Sequence, residues 1–368
     1  MLKYYNPVKV IHTNNWDIEL NQNIEKLKIT SAAVITSPGN RRRLNLDSYF
    51  PTNSIYSDFS SNPNFEDCSK AIRYFNNRLY DGVIAIGGGS AMDLAKVIIA
   101  YLCLEKSNIY ELICYKEDYP KDIPSIFLPT THGTASEVTM WGTIWNIKED
   151  KKYSISHPSL YPNVAILDGS LTLTLPMRIS ITTVMDALSH SLEAIWNKNA
   201  NKISTDYAVS AICTILENIK ILKDLPNNIS VRKKLLGAST VSGLAFSNTK
   251  TAAAHSMSYP LTLHYGIPHG IASSISLIPL LNINRESIKE PLDMICNNLG
   301  LTYNELVKMI INIPKNILPY KLEAWGVPKN QLPNLARESF TKGRMDNNIV
   351  NLNIDDVLMI LNDIHEDK

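Results

Sequence analysis

Between residues 32 and 168 the apolar positions fall into short, uninterrupted runs. These are Ala32 to Thr36 (AAVIT), Gly82 to Ile86 (GVIAI), Ile126 to Leu128 between Pro124 and Pro129, and Val164 to Leu167 ahead of Asp168 and Gly169. Each is short and apolar throughout, which predicts strands covered on both faces, as in a parallel sheet. Helical stretches such as Ala91 to Ala100 alternate with them, the pattern of βαβ units. From about Pro176 the texture changes: Ala187 to Trp196, Asp206 to Leu222 and Val231 to Phe246 carry apolar residues at three- and four-residue spacing. That half is predicted to be helical. The break falls near Leu173 to Ser180, where Pro176 interrupts a Thr- and Leu-rich segment, so an α/β domain over 1–176 and an all-α domain over 177–368 are expected. The stretch from Asn347 to Lys368 is expected to form one amphipathic packing helix.

Composition narrows the class. At 368 residues the chain exceeds the size at which one core usually stops growing, which agrees with two domains. Apolar residues make up 45% and charged residues 19%, and 36 basic against 35 acidic side chains leave +1; disorder and a nucleic-acid partner both lose ground. The five cysteines are odd in number, spread out and without a CxxC pair, which argues against a disulfide framework and a zinc ribbon and fits a reducing cytoplasm. No apolar run reaches the ~18 residues of a membrane span, and MLKYYNPVKVIH lacks the form of a signal peptide. A soluble protein with no membrane partner is expected.

Two polar turns follow predicted strands. Gly87-Gly88-Gly89-Ser90 lies between GVIAI and a helix, where glycine lets the backbone approach an anion and the helix amides favour a pyrophosphate. It is not GxGxxG, and a tight turn needing positive φ would use the same glycines. The second turn, Pro129-Thr130-Thr131-His132-Gly133-Thr134-Ala135-Ser136-Glu137, offers hydroxyls to a phosphate or ribose, or to its own backbone.

A sharper constellation opens the helical half. Asp186 and His190 in VMDALSHSLEAIW are four apart and share one helix face. His255 in AAAHSMSYP and His269 in GIPHGIAS sit in apolar, small-residue settings. Together they would make a nitrogen- and oxygen-rich site for Fe(II), Zn(II) or a similar ion. Buried histidines bonded within the core and an ordinary i,i+4 contact would give the same residues.

GGGSAMDLAK at 87–96, PTTHGTASEVT at 129–139, DALSH at 186–190, then His255 and His269, taken in this order, resemble the iron-containing alcohol dehydrogenase family over most of the chain. The resemblance implies the dehydroquinate synthase-like fold: an N-terminal Rossmann-like domain for NADP or NAD and an all-α C-terminal domain for one divalent metal. It implies Fe(II) as that metal, with Zn(II) as the alternative, and hydride transfer in the cleft between the domains. It assigns metal ligation to Asp186, His190, His255 and His269, and cofactor contacts to Asn62, Gly88, Gly89, Ser90, Thr130, Thr131 and Lys152. It also implies a homodimer.

Three stretches, from Glu137, Ser191 and Ser242, resemble the phosphonoacetaldehyde reductase branch. They imply an aldehyde reductase, with lactaldehyde or butyraldehyde as other substrates of the type. Lys250, five residues before His255, would lie near the metal if the segment is helical and could pair with a phosphonate; a solvated lysine is the other reading. The chain departs from the family twice. Where NAD-preferring members carry an Asp after the second strand, this chain has Ser37, followed by Arg41, Arg42 and Arg43, so a 2′-phosphate becomes acceptable, unless the arginines merely start an exposed helix. Where many relatives have a histidine four residues after the one matching His255, this chain has Tyr259, leaving Tyr259 and His132 as candidates for proton delivery. A dehydroquinate synthase-like lyase and a catalytically silent nucleotide binder are the competing readings.

Overall fold

The computed structural model describes residues 3–149 and 151–366. They form two compact units: 6–131 with 135–172, and 3–5 with 132–134 and everything described from Leu173 onward.

The first unit is built on β1 (Lys9–Thr13), β2 (Ala32–Thr36), β3 (Ile55–Tyr56), β4 (Gly82–Gly87), β5 (Ser125–Pro129) and β8 (Val164–Asp168), with β6 (Trp141–Asn146) and β7 (Lys151–Ser156) as a separate antiparallel hairpin. The six-stranded sheet has the order β1-β8-β5-β4-β2-β3, and every pairing in it is parallel. Its helices are α1 (Trp16–Lys26), α2 (Pro38–Arg43), α3 (Phe65–Phe75), α4 (Gly89–Leu104) and α5 (Ile109–Cys114). Ala33, Ile35, Val83, Ala85 and Phe127 face α3 and α4, whereas Val34, Ile84, Ile86, Ile126 and Leu128 pack with Leu20 of α1 on the other side. Cover on both faces is why the interior positions of these strands are apolar.

The order of strands positions the loops. The chain runs outward from β2 to β3, recrosses β2 to reach β4, then continues through β5 toward the opposite edge. Strand order therefore reverses between β2 and β4, the switch point at whose carboxyl ends ligands of open α/β sheets bind. Ser37, Gly87 to Ser90 and Thr130 all lie at those ends.

The second unit is helical: α6 (Met177–Ile195), α7 (Lys202–Asp224), α8 (Ile229–Thr249), α9 (Ala253–Tyr265), α10 (His269–Ala272), α11 (Leu277–Asn284), α12 (Lys289–Leu299), α13 (Tyr303–Ile311), α14 (Leu332–Glu338) and α15 (Ile354–Asp363). Pro176 caps α6, whose residues from Val184 to Ile195 are all buried. Small residues let α8 come close, and the hydroxyls this buries are satisfied locally: Ser242 donates to the Ala187 carbonyl at 2.9 Å and Ser191 to the same carbonyl at 3.0 Å.

Two expectations change. The terminal helix covers Ile354–Asp363 and not the whole stretch from Asn347, because Asn353 starts it with a capping box to Asp356; residues 367 and 368 lie outside the described ones. His132, Gly133 and Thr134, read with the sheet's polar turn, group with the helices. Gly133 sits so close to α6 that a Cβ there would lie 2.8 Å from the Thr183 carbonyl oxygen. No helix among the described residues is long and apolar enough to cross a membrane.

Candidate metal centre and nucleotide loops

Three of the four expected ligands converge. Asp186 from the middle of α6, His255 from the first turn of α9 and His269 at the start of α10 each present one ligand atom, all within 4.8 Å of one another. His255 Nε2 lies 3.5 Å and His269 Nε2 3.8 Å from the same Asp186 oxygen, Oδ1. The Asp186 and His255 side chains are 4% exposed and that of His269 is 30%, so the cluster is accessible on the His269 side. His255 Nε2 is buried without a hydrogen-bond partner, and a buried imidazole nitrogen left unpaired beside a carboxylate is suited to a cation. Two nitrogens and an oxygen suit a borderline divalent ion, and all five cysteines are free.

His190 lies outside that three-residue group. Its ring stacks on His255 at 4.5 Å between centroids and on Phe246 at 4.0 Å. A backbone hydrogen bond links it to Gly133, and its Nδ1 is buried without a partner.

The charges of the cluster depend on one another. Burial opposes ionisation of Asp186, yet His190, His269 and His255 hold its carboxyl well below the usual range. Burial pushes His190 down to about 4, leaving it neutral as a ligand must be. Burial also acts against His255, but Glu193 and Asp186 outweigh it and raise the imidazole to about 10. A proton there occupies the role a divalent cation would take.

Glu193, fully buried, was not singled out in the sequence. One carboxylate oxygen accepts from the His255 backbone N–H at 3.0 Å and the other meets His255 Nδ1. Its signal was available: 186, 190 and 193 fall on one helix face, and a glutamate there is out of place in a buried helix. Ser273 donates to Asp186 Oδ1 at 3.1 Å. Gly270 lets α10 rest on α6, since a Cβ there would lie 1.9 Å from the Thr182 carbonyl oxygen and 3.1 Å from Asp186 Cβ.

In the first unit the two polar turns lie side by side. Gly87 pairs with Pro129, and Thr130 N–H donates to the Gly87 carbonyl at 2.9 Å. Neither Gly87, Gly88 nor Gly89 has positive φ, so the tight-turn reading fails. They provide room instead: a Cβ on Gly87 would lie 2.6 Å from Ala91 Cβ, and one on Gly88 3.0 Å from Thr131 Cγ2. Gly88 caps α4 without a side-chain bond, so the first amides of this sixteen-residue helix have no side-chain cap. Ser90 donates to the Ser61 carbonyl at 2.8 Å, next to Asn62 in the same exposed loop. Lys152 on β7 places Nζ 5.8 Å from the Trp145 ring centroid. Beneath the second turn, buried Lys96 donates to the Ser136 carbonyl, Ser136 Oγ, Thr139 Oγ1 and the Trp141 carbonyl at 2.7–2.9 Å, an anchor the sequence reading missed.

Ser37 caps α2, accepting from Asn40 N–H at 3.2 Å, and Asn40 Nδ2 donates to Thr130 Oγ1 at 3.3 Å. The three arginines end this helix and do not start it. Arg41 is paired with Asp47 at 2.6 Å, and Arg43 donates to Asn40 and to the Leu171 carbonyl. Arg42 is exposed, and among the described residues its side chain makes no hydrogen bond or ion pair.

The remaining candidates separate. Lys250 is exposed at the C-terminal cap of α8 with φ 65°, so it is not on a helix continuous with His255. His132 is completely buried with both ring nitrogens unpartnered, and burial with the nearby Arg232 pushes it down to about 3. It is neutral at ordinary pH. Tyr259 lies one turn after His255 on α9, and its hydroxyl accepts from Arg344 Nε at 3.2 Å.

Known proteins show the same organisation. The model of the iron-containing alcohol dehydrogenases matches residues 7–169, and that of the C-terminal part of the Fe-containing alcohol dehydrogenase family matches 180–365. Long-chain-alcohol dehydrogenase 1 of Geobacillus thermodenitrificans is 30% identical over 307 residues, 79% of this chain and 76% of the relative. The NADPH-dependent butanol dehydrogenase of Clostridium saccharobutylicum is 30% identical over 283 residues, 74% of this chain and 72% of that one. Among solved structures, sulfoacetaldehyde reductase from Bifidobacterium kashiwanohense in complex with NAD+ matches with a TM-score of 0.90 at 27% identity, covering 99% of each chain.

Proposed function

The chain belongs to the iron-containing alcohol dehydrogenase family, and from that premise we propose that it reduces phosphonoacetaldehyde to 2-hydroxyethylphosphonate with NADPH or NADH. The observation that carries the reading is the convergence of Asp186, His255 and His269 on one accessible point. The likeness to a reductase of another two-carbon aldehyde with an anionic end supports this substrate class, and the likeness to a butanol dehydrogenase keeps a butyraldehyde-type substrate as the second reading.

In this reading Asp186, His190, His255 and His269 hold a divalent ion, Fe(II) in first place and Zn(II) in second. Ser37, Asn62, Gly88, Gly89, Ser90, Thr130, Thr131 and Lys152 hold the dinucleotide. When bound, the ion supplies a Lewis acid for the carbonyl oxygen and the nicotinamide supplies the hydride. The rest falls to the chain. Asp186 keeps a fixed negative charge among the imidazoles, and Glu193 holds His255 so that Nε2 faces the cluster. Tyr259 Oη, accepting from Arg344, can donate its own proton to the product alkoxide. Five free cysteines fit a cytoplasmic enzyme, and a homodimer is proposed from the family resemblance.

The test is aldehyde-dependent oxidation of NADPH and NADH by protein stripped of metal and then reconstituted with Fe(II) or Zn(II). Activity restored by metal and abolished in His255→Ala together with bound metal is expected. Full activity without metal would overturn the assignment, and product formation without net coenzyme oxidation would indicate a lyase.

A further inference from the structure

We propose that Arg344 receives the anionic end of the substrate, which defines the preferred substrates as two-carbon aldehydes ending in a phosphonate or sulfonate. This rests on the aldehyde-reductase reading above. It replaces Lys250, which the sequence suggested and which is exposed at the end of the preceding helix.

The argument begins with α9. His255 and Tyr259 are four residues apart on one face, a rise of about 6 Å. Arg344 Nε donates to Tyr259 Oη at 3.2 Å, which brings the guanidinium to the face of α9 that carries a proposed metal ligand.

The charge of Arg344 is uncompensated. Its other side-chain bond, from Nη1, goes to the Gly343 carbonyl at 2.9 Å, and both acceptors are neutral. No carboxylate of the described residues lies within ion-pair distance of it. Asp346, two residues on, is turned to the Gly343 N–H at 2.6 Å. A half-buried guanidinium with two neutral contacts keeps donors for a tetrahedral oxyanion, which its planar fork suits.

Its backbone is also held in place. Asn347 Nδ2 donates to the Thr251 and Gly343 carbonyls, both at 2.9 Å, so one amide ties the Arg344 segment to the start of α9. Thr341 N–H donates to Ser256 Oγ on α9 at 3.2 Å, and Arg344 N–H to the Thr341 carbonyl at 3.1 Å. These bonds pre-position the guanidinium, which lowers the entropic cost of binding.

The test compares phosphonoacetaldehyde, sulfoacetaldehyde and the neutral propanal in wild type, Arg344→Gln, Arg344→Lys and Tyr259→Phe. Arg344→Gln is expected to lower the ratio of kcat/KM for the anionic aldehydes over propanal by about 10- to 100-fold, chiefly through KM, with partial recovery in Arg344→Lys. Tyr259→Phe should lower all three substrates together. Calorimetry with methylphosphonate should show binding to wild type that Arg344→Gln loses. An unchanged ratio in Arg344→Gln, with all three rates falling equally, would mean that Arg344 only positions Tyr259 and would overturn the proposal. A wild type that prefers propanal would instead defeat the substrate reading itself.

Discussion

Glu193 holds His255 at two points, taking the backbone N–H on one carboxylate oxygen at 3.0 Å and the ring Nδ1 on the other. An ionised carboxylate only accepts, so Nδ1 must carry a proton and the lone pair available for an ion is on Nε2. Glu193→Gln keeps the size but can present an amide N–H to Nδ1, which favours the tautomer with the proton on Nε2. Affinity of the stripped protein for Co(II) or Zn(II), measured against a competing chelator, should fall about 10- to 100-fold. The 15N shifts of His255 should report the tautomer change. Unaltered affinity would mean that Glu193 serves only to secure α9.

Gly270 fixes where His269 stands. Because its Cβ would meet backbone, the Thr182 carbonyl oxygen at 1.9 Å, the neighbour cannot rotate aside. Gly270→Ala should push α10 away from α6, destabilise the protein by about 1–3 kcal/mol and lower bound metal together. Thermal unfolding with and without added Zn(II) measures both. A variant that is less stable yet binds a full equivalent of metal would show that His269 is not needed to retain it.

What could be read from sequence follows burial. β2, β4, β5 and β8 were legible because both faces are covered and their interior positions are apolar. β1 was not, since its exposure is mixed, and neither was the β6–β7 hairpin, where aromatic, small and lysine residues alternate. Helical spacing made it legible that Asp186 and His190 share one face of α6, whereas their assignment as ligands came from the family resemblance. That His255 and His269 join Asp186 while His190 stacks beside them depends on how α9, α10 and α6 pack, which no local pattern encodes. Arg344 was invisible for the same reason: 85 residues separate it from Tyr259.

Coenzyme choice should turn on Arg42. Its neighbours are engaged, Arg41 with Asp47 and Arg43 with Asn40 and Leu171, while Arg42 has no side-chain partner among the described residues. Arg42→Ala is expected to raise KM for NADPH by about 10-fold or more, the worth of a charge-assisted bond to the 2′-phosphate, with a much smaller change for NADH. Ser37→Asp retains a capping acceptor for Asn40 but sets a carboxylate against that phosphate, so preference should shift toward NADH. Equal effects of Arg42→Ala on both coenzymes would refute a role in phosphate recognition.

Acid should destabilise the fold through His132. Burial, with Arg232 nearby, holds its folded-state value down at about 3, against an ordinary value of 6.5. Below pH 6.5 the unfolded chain therefore binds a proton that the folded chain refuses, so stability is fully present above that pH and falls as pH drops from 6.5 toward 3. At pH 5 the loss is about 2 kcal/mol, from ~1.4 kcal/mol for each pH unit. Urea unfolding at pH 7.5 and pH 5.0 should show a pH dependence about 2 kcal/mol smaller in His132→Gln, which cannot be protonated, than in the wild type, where His190, held down at about 4, acts in the same direction. His132→Phe serves as a second variant, since it removes the titration without leaving a buried amide. The same pH dependence in both variants would place the acid sensitivity elsewhere.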